Sequence, residues 1–290
     1  MTRTITALAA SLTACALCAP AHASSIEASA SVLVTGLTFE LIDLDLTDGI
    51  APSLQYVEGE SRTKHWQAVA SGAKWTSPGP NVNEPSDIQT ALSSGGNWFV
   101  PLQAGVNTPQ VQSSAVMTTS SISLSASATL GTVTAGEQTN LAYADLTSAA
   151  LDMFPDWIIY TVTPNTAVRV TGQYELSSRV LAQDPQGYGS ATAYLQLMMW
   201  GNTDRPAVVE ASASSNLDTS DDSRNGSFDW LLSNASTESE QQSFFLLAGA
   251  SAQANGRVTA VPEPTSLALL LAGAGIASIT AARRRSAQRH

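Results

Sequence analysis

The sequence predicts an all-β domain, an antiparallel β-sandwich, and three observations lead there. Ser121 to Leu130 alternates without a break: Ile122, Leu124, Ala126, Ala128 and Leu130 share one face, Ser121, Ser123, Ser125, Ser127 and Thr129 the other. That period of two marks a half-buried strand. Ala167 to Val180 repeats it, with Val168, Val170, Tyr174, Leu176 and Val180 opposite Arg169, Thr171, Gln173, Glu175 and Arg179. Turn signals at Asp48-Gly49, Ser94-Gly95-Gly96, Asp184-Pro185-Gln186-Gly187 and Asn225-Gly226 separate such runs, and no long helical stripe occurs outside the two ends.

The same reading places strands over Ala28 to Val34, Leu37 to Leu46, Leu54 to Val57, Trp98 to Leu102, Trp157 to Val162, Ala191 to Trp200, Phe228 to Leu232 and Ser243 to Gln253. Many strands joined by Gly, Asn and Pro loops form a sandwich, and the jelly roll is one form it takes. A single domain over residues 24–260 is the expected unit. The interval from Ser71 to Gly96 reads as loop-rich, an insertion or a linker between two smaller sheets.

Phe39 to Pro52 is the most distinctive segment inside this domain. Read as a strand it directs Ile42, Leu44 and Leu46 inward and Asp43 and Asp45 outward, ahead of a turn at Asp48-Gly49. The alternative is a calcium site, since Asp43, Asp45 and Asp48 supply hard oxygens, although an EF-hand loop would set its glycine one residue earlier. Asp218, Asp221, Asp222 and Asn225 form a second acidic stretch that reads as an exposed turn. No other cofactor is implied.

Both ends carry apolar segments. Arg3, the run Ile5 to Ala19 and the close Ala21-His22-Ala23 make residues 1–23 a secretory signal peptide, with Ala21 and Ala23 at the positions signal peptidase reads. Leu12-Thr13-Ala14-Cys15 offers a rival lipobox that would lipidate Cys15. Cys15 and Cys18 are the only cysteines, so removal of residues 1–23 leaves no disulfide and no thiolate ligand. At the other end, Leu267 to Ala282 is uncharged over 16 residues, a helix of roughly 24 Å and a short membrane span. Pro262 and Pro264 hold the chain extended ahead of it. Arg283, Arg284 and Arg285 follow it and keep that flank cytoplasmic, which puts the domain outside.

The order Val261-Pro262-Glu263-Pro264, an alanine- and leucine-rich span and an arginine cluster resembles the PEP-CTERM sorting signal over residues 261–288. Its spacer and removable anchor follow the logic of other C-terminal anchoring signals. The resemblance implies a Gram-negative exporter, an inner-membrane exosortase that recognises the tail and cleaves near Pro262 to Pro264, and a surface or matrix destination linked to exopolysaccharide. It also implies a membrane-anchored intermediate held by the C-terminal helix. The Leu41-Ile42-Asp43-Leu44 hairpin is similar to hairpins of other proteins with this tail.

Charge and inventory narrow the activity. Residues 24–260 hold 23 acidic and 8 basic residues, a net of −15, which disfavours nucleic acid and anionic surfaces. Once both ends are removed His65 is the sole histidine, no Gly-x-Ser-x-Gly elbow or phosphate-binding glycine loop is present, and a Ser-His-Asp triad would have to be built on His65. The expectation is a non-enzymatic surface or matrix protein. A carbohydrate-binding module is the first alternative, because Trp66, Trp75, Trp98, Trp157, Trp200 and Trp230 could stack on sugar rings. A secreted polysaccharide hydrolase is the second, since it needs only two carboxylates brought together by the fold.

Overall fold

Alternation of small apolar and hydroxyl residues carries the chain through 14 strands in a computed structural model that describes residues 25–57, 65–77, 85–95, 101–131, 136–149, 157–182, 187–201 and 206–258. They are β1 (Ile26–Asp43), β2 (Leu54–Tyr56), β3 (His65–Ser77), β4 (Pro85–Gly95), β5 (Leu102–Asn107), β6 (Val111–Met117) and β7 (Ile122–Leu130). There follow β8 (Gly136–Ala149), β9 (Ile158–Val162), β10 (Thr166–Ala182), β11 (Tyr188–Trp200), β12 (Ala207–Asn216), β13 (Asp221–Asn234) and β14 (Glu240–Val258). All pairings are antiparallel, and the described residues contain no helix.

The strands form two sheets. The smaller runs β13-β10-β1-β7-β6-β5 and the larger β12-β11-β14-β8-β3-β4, with β9 beside the first half of β14 and β2 beside β9. Their inner faces share one apolar core. Strand β12 also lies close to β13, and β4 to β5, so the two sheets meet along both margins.

Small side chains set the distance between the sheets. The larger sheet turns Ala68, Ala70, Ala142, Ala144, Ala191, Ala193, Ala248, Ala250, Ala252 and Ala254 inward, all fully buried. The smaller sheet answers with Ala28, Ala30, Ala126 and Ala128 and with the branched Ile26, Val32, Val34, Leu124 and Val180. Cα atoms of β14 consequently come within 8 Å of those on β1 and β7, closer than the roughly 10 Å of ordinary face-to-face sheets. At three sites even a methyl group is too large: a Cβ on Gly72 would sit 2.6 Å from Val111 Cγ1, one on Gly189 would sit 2.6 Å from Val180 Cγ1, and one on Gly187 would overlap Ile26 Cδ1.

Hydrogen bonds fasten the same interface. Ser113 Oγ donates to the Ser71 carbonyl at 3.0 Å, and Ser215 Oγ to the Ser178 carbonyl at 2.9 Å. Asn140 Nδ2 donates to the Thr129 carbonyl at 2.6 Å. Each link runs from one sheet to the other and satisfies a buried polar group that would otherwise oppose folding. Gln242 is the exception, 2% exposed with both amide atoms unpartnered among the described residues, an uncompensated cost.

Several sequence expectations are corrected here. Ala28 to Val34 and Leu37 to Leu46 belong to one strand, β1, whose register against β10 shifts between Thr35 and Thr38. Gly36 adopts φ +60°, and the extra residue reverses the alternation, so that Leu37 is buried and Phe39 and Leu41 pair with the inward positions Val170 and Val168 of β10. Strand β1 then stops at Asp43, leaving Leu44 46% and Leu46 86% exposed rather than inward. The interval 71–96 is not a linker, because β3 and β4 form an antiparallel hairpin docked on β8. Asn225-Gly226 is no turn either but lies inside β13, where Gly226 makes room for the Tyr174 ring. Strand β5 starts at Leu102, and residues 96–100 fall outside the described set. The alternations of β7 and β10 are as expected.

Replacing Ala250 by Leu is expected to destabilise the domain by about 1–3 kcal/mol, because the added carbons must push apart two sheets already in contact. A lowered urea midpoint with an unchanged slope will report it.

Candidate functional site

The sequence candidates fall into two groups. Ala21, Ala23, Cys15 and the sorting residues Val261, Pro262, Glu263, Pro264, Arg283, Arg284 and Arg285 lie outside the described residues. So do Trp98 and the side chains of His65, Trp66 and Trp75.

The aspartates of the first acidic segment serve the turn after β1. Asp43 Oδ1 accepts from the Asp45 N–H at 2.9 Å, Asp45 Oδ1 from the Thr47 N–H at 3.0 Å and hydroxyl at 2.6 Å, and Asp48 Oδ1 from the Ile50 N–H at 2.7 Å. Asn165 Nδ2 donates to the second oxygen of Asp48 at 2.8 Å. The Thr47 hydroxyl and N–H hold Asp45 below the ordinary carboxylate range. These are turn-forming contacts of the Asx type, and among the described residues no group of three potential ligands is placed to hold a metal ion. In the second acidic stretch Asp218 lies in the β12–β13 turn, while Asp221, Asp222 and Asn225 are on β13, with Asp222 3.0 Å from Arg224.

The structure assembles a cluster that the sequence reading passed over, on the outer face of the larger sheet. Tyr194 on β11 is the register partner of Gly249 on β14, which is in turn the partner of Asp145 on β8. Because Gly249 lacks a side chain, the Tyr194 ring folds down across it: a Cβ there would lie 2.4 Å from the Tyr194 Cζ and hydroxyl oxygen. The hydroxyl thereby reaches the next strand and donates to Asp145 Oδ1 at 3.3 Å. Tyr143, two residues before Asp145 and so on the same face, sets its hydroxyl beside both the Tyr194 hydroxyl and that carboxylate.

Burial dominates the electrostatics of this trio. It raises Asp145 above the ordinary carboxylate value, with the two tyrosine hydroxyls and the Leu146 N–H acting against that shift. It also raises Tyr143 and Tyr194, which the adjacent carboxylate pushes further up, so both phenols stay protonated as donors. Farther along the same face Trp157 meets Trp200 edge-on, ring centres 6.3 Å apart, and leans on Phe245 at 5.5 Å. Trp200 is 45% exposed. Trp230 instead packs against the core beside Phe228, 5.0 Å away.

The outer face of the smaller sheet is different in kind. Ser29, Ser31, Ser125, Ser127, Glu175 and Arg179 cover it, and Arg169 makes a paired contact there with Asp229 at 2.9 and 2.8 Å. That contact holds Asp229 below its usual range.

Comparison with known proteins addresses the tail. A family model described as the PEP-CTERM protein-sorting motif matches residues 260–285. The chain carries a PEP-CTERM sorting motif. The motif marks it as an exported exosortase substrate that passes through a membrane-anchored intermediate in a Gram-negative bacterium. No curated protein and no solved structure matches the chain.

Asp145 gives the fold a pH dependence of known sign. The folded site holds the proton more tightly than the unfolded chain, so the contribution is full below the ordinary value of 3.8 and is lost as pH rises through the raised native value. Asp145→Asn is therefore expected to gain stability on wild type as pH climbs from about 4 to 7, by about 1.4 kcal/mol per unit of elevation. Paired thermal melts across that range will measure it.

Proposed function

We propose that this PEP-CTERM protein is a non-enzymatic component of the cell surface or extracellular matrix, trimmed at its tail by exosortase and held in or near exopolysaccharide. The observation that carries this reading is the sorting motif at residues 260–285, joined to a folded domain with its own core. Signal peptidase acts first at Ala23, and the tail then anchors the intermediate until cleavage near Pro262 to Pro264.

The non-enzymatic part rests on the cluster that could most readily have been catalytic. Asp145, with its raised proton affinity, is the kind of carboxyl that serves as a general acid. Glycoside hydrolysis needs a second carboxylate about 5–9.5 Å away. Glu210, the acid that β12 offers on this face, lies three strands from Asp145, roughly 14 Å at normal strand spacing. That separation supports the non-enzymatic reading.

Intact-mass measurement of the surface protein from cells with and without exosortase tests the reading. Loss of the segment beyond Pro262 to Pro264 is expected in the first case, and retention of it in the second or in a Pro262→Ala, Pro264→Ala variant. A full-length tail on correctly localised protein in cells with active exosortase would overturn it.

A further inference from the structure

We infer that the outer face of the larger sheet is a binding strip for an extended, uncharged polysaccharide, centred on Tyr143, Asp145 and Tyr194 and continued by Trp200. The inference rests on the matrix reading above and assigns the contact to one surface.

The hydrogen-bonding groups suit a polyol. Asp145 Oδ1 accepts from the Tyr194 hydroxyl at 3.3 Å, and the Tyr143 hydroxyl lies beside both groups. A carboxylate offers about four lone-pair sites, so acceptor capacity remains for a sugar hydroxyl. The Tyr194 hydroxyl donates to Asp145 and meets the Tyr143 hydroxyl, and its second lone pair can accept from a further hydroxyl. Gln196 and Thr192 flank Tyr194 on the same face, half-exposed, and add an amide and a hydroxyl.

The rings supply the apolar half of the contact. Folded across Gly249, the half-buried Tyr194 ring lies close against the β14 backbone, a placement that suits stacking on a pyranose. Trp200 follows six positions later on β11, also on the outer face and 45% exposed. At strand rise the two rings stand roughly 20 Å apart, so the ligand is a chain lying along β11 and not a single sugar.

Charge selects the polymer. Between residues 139–147, 190–200 and 243–255, the segments that build the central strands of this face, there is no lysine or arginine. Asp145 and the net −15 of residues 24–260 repel uronates and other anionic chains. The smaller sheet, by contrast, exposes Arg169 and Arg179.

Tail-processed protein purified from the cell surface will be titrated with cellohexaose, laminarihexaose and a hexauronate, followed by tryptophan fluorescence. A neutral hexasaccharide is expected to saturate the signal and the hexauronate to leave it unchanged. Tyr194→Phe, which keeps the ring and removes the hydroxyl, and Trp200→Ala are each expected to weaken binding about fivefold while the near-ultraviolet dichroism of Tyr194→Phe stays native. Absence of binding to both neutral probes, equal binding of the hexauronate, or unchanged affinity in both variants would overturn the inference. If the double variant loses glycan binding yet remains in the matrix, the strip is confirmed and is not what retains the protein. If wild-type protein never reaches the surface, the matrix reading fails whatever the titrations give.

Discussion

The close approach of the two sheets is the constraint on which the rest of the structure depends. Alanines on β3, β8, β11 and β14 let the backbone of the larger sheet come within reach of branched residues on β1, β6 and β10. Interiors are packed nearly as densely as crystals, so small residues on one side demand a fixed partner surface on the other. That fixes register, because a slip of one position would replace alanine by a tyrosine or glutamine in the gap. It also explains how a domain with no cysteine beyond residue 18 secures itself, through area and interlocking side chains with three serine and asparagine ties across the gap.

The same economy of side chains shapes the outer surface. Gly249 sits where the ring of Tyr194 must cross β14 to reach Asp145. A β-branched residue there would hold the ring upright and break the trio, so the cluster depends on a vacancy in the sheet as much as on its own members. Cross-strand pairs of aromatic and glycine recur inside the fold at Gly172 with Phe228 and Gly226 with Tyr174. There the ring is turned inward and serves packing. On the outer face the half-buried ring lies beside a carboxylate whose burial raises its proton affinity, which gives the arrangement a chemical character the interior pairs lack.

Sequence legibility follows the size of the side chains. Strands β7 and β10 were plain because leucine, isoleucine and valine alternate with serine, arginine and glutamine. In β3 and β8 the inward residues are chiefly alanine, whose hydropathy differs little from that of its serine and threonine neighbours, so the alternation was muted and Ser71 to Gly96 read as loop. The phase of β1 after Val34 was hidden by the bulge at Gly36, since a register shift leaves no mark on composition. Asn225-Gly226 misled for the opposite reason: the pair is a strong turn signal, but glycine here serves the Tyr174 ring on an edge strand. The Tyr143, Asp145 and Tyr194 site is drawn from β8 and β11, Asp145 and Tyr194 being 49 positions apart. Its only local trace was the Tyr-x-Asp spacing on one strand. The sorting motif of the tail, by contrast, is a linear signal and is legible directly in the sequence.

Alanine methyl groups report the central constraint directly. With the domain labelled at alanine methyls, nuclear Overhauser effects should connect Ala28, Ala30, Ala126 or Ala128 of the smaller sheet with Ala142, Ala144, Ala250 or Ala252 of the larger, because the backbones approach within 8 Å. Cross-sheet contacts among these methyls are the result the close-packed interior requires. Strong contacts within each sheet and none between them would contradict it.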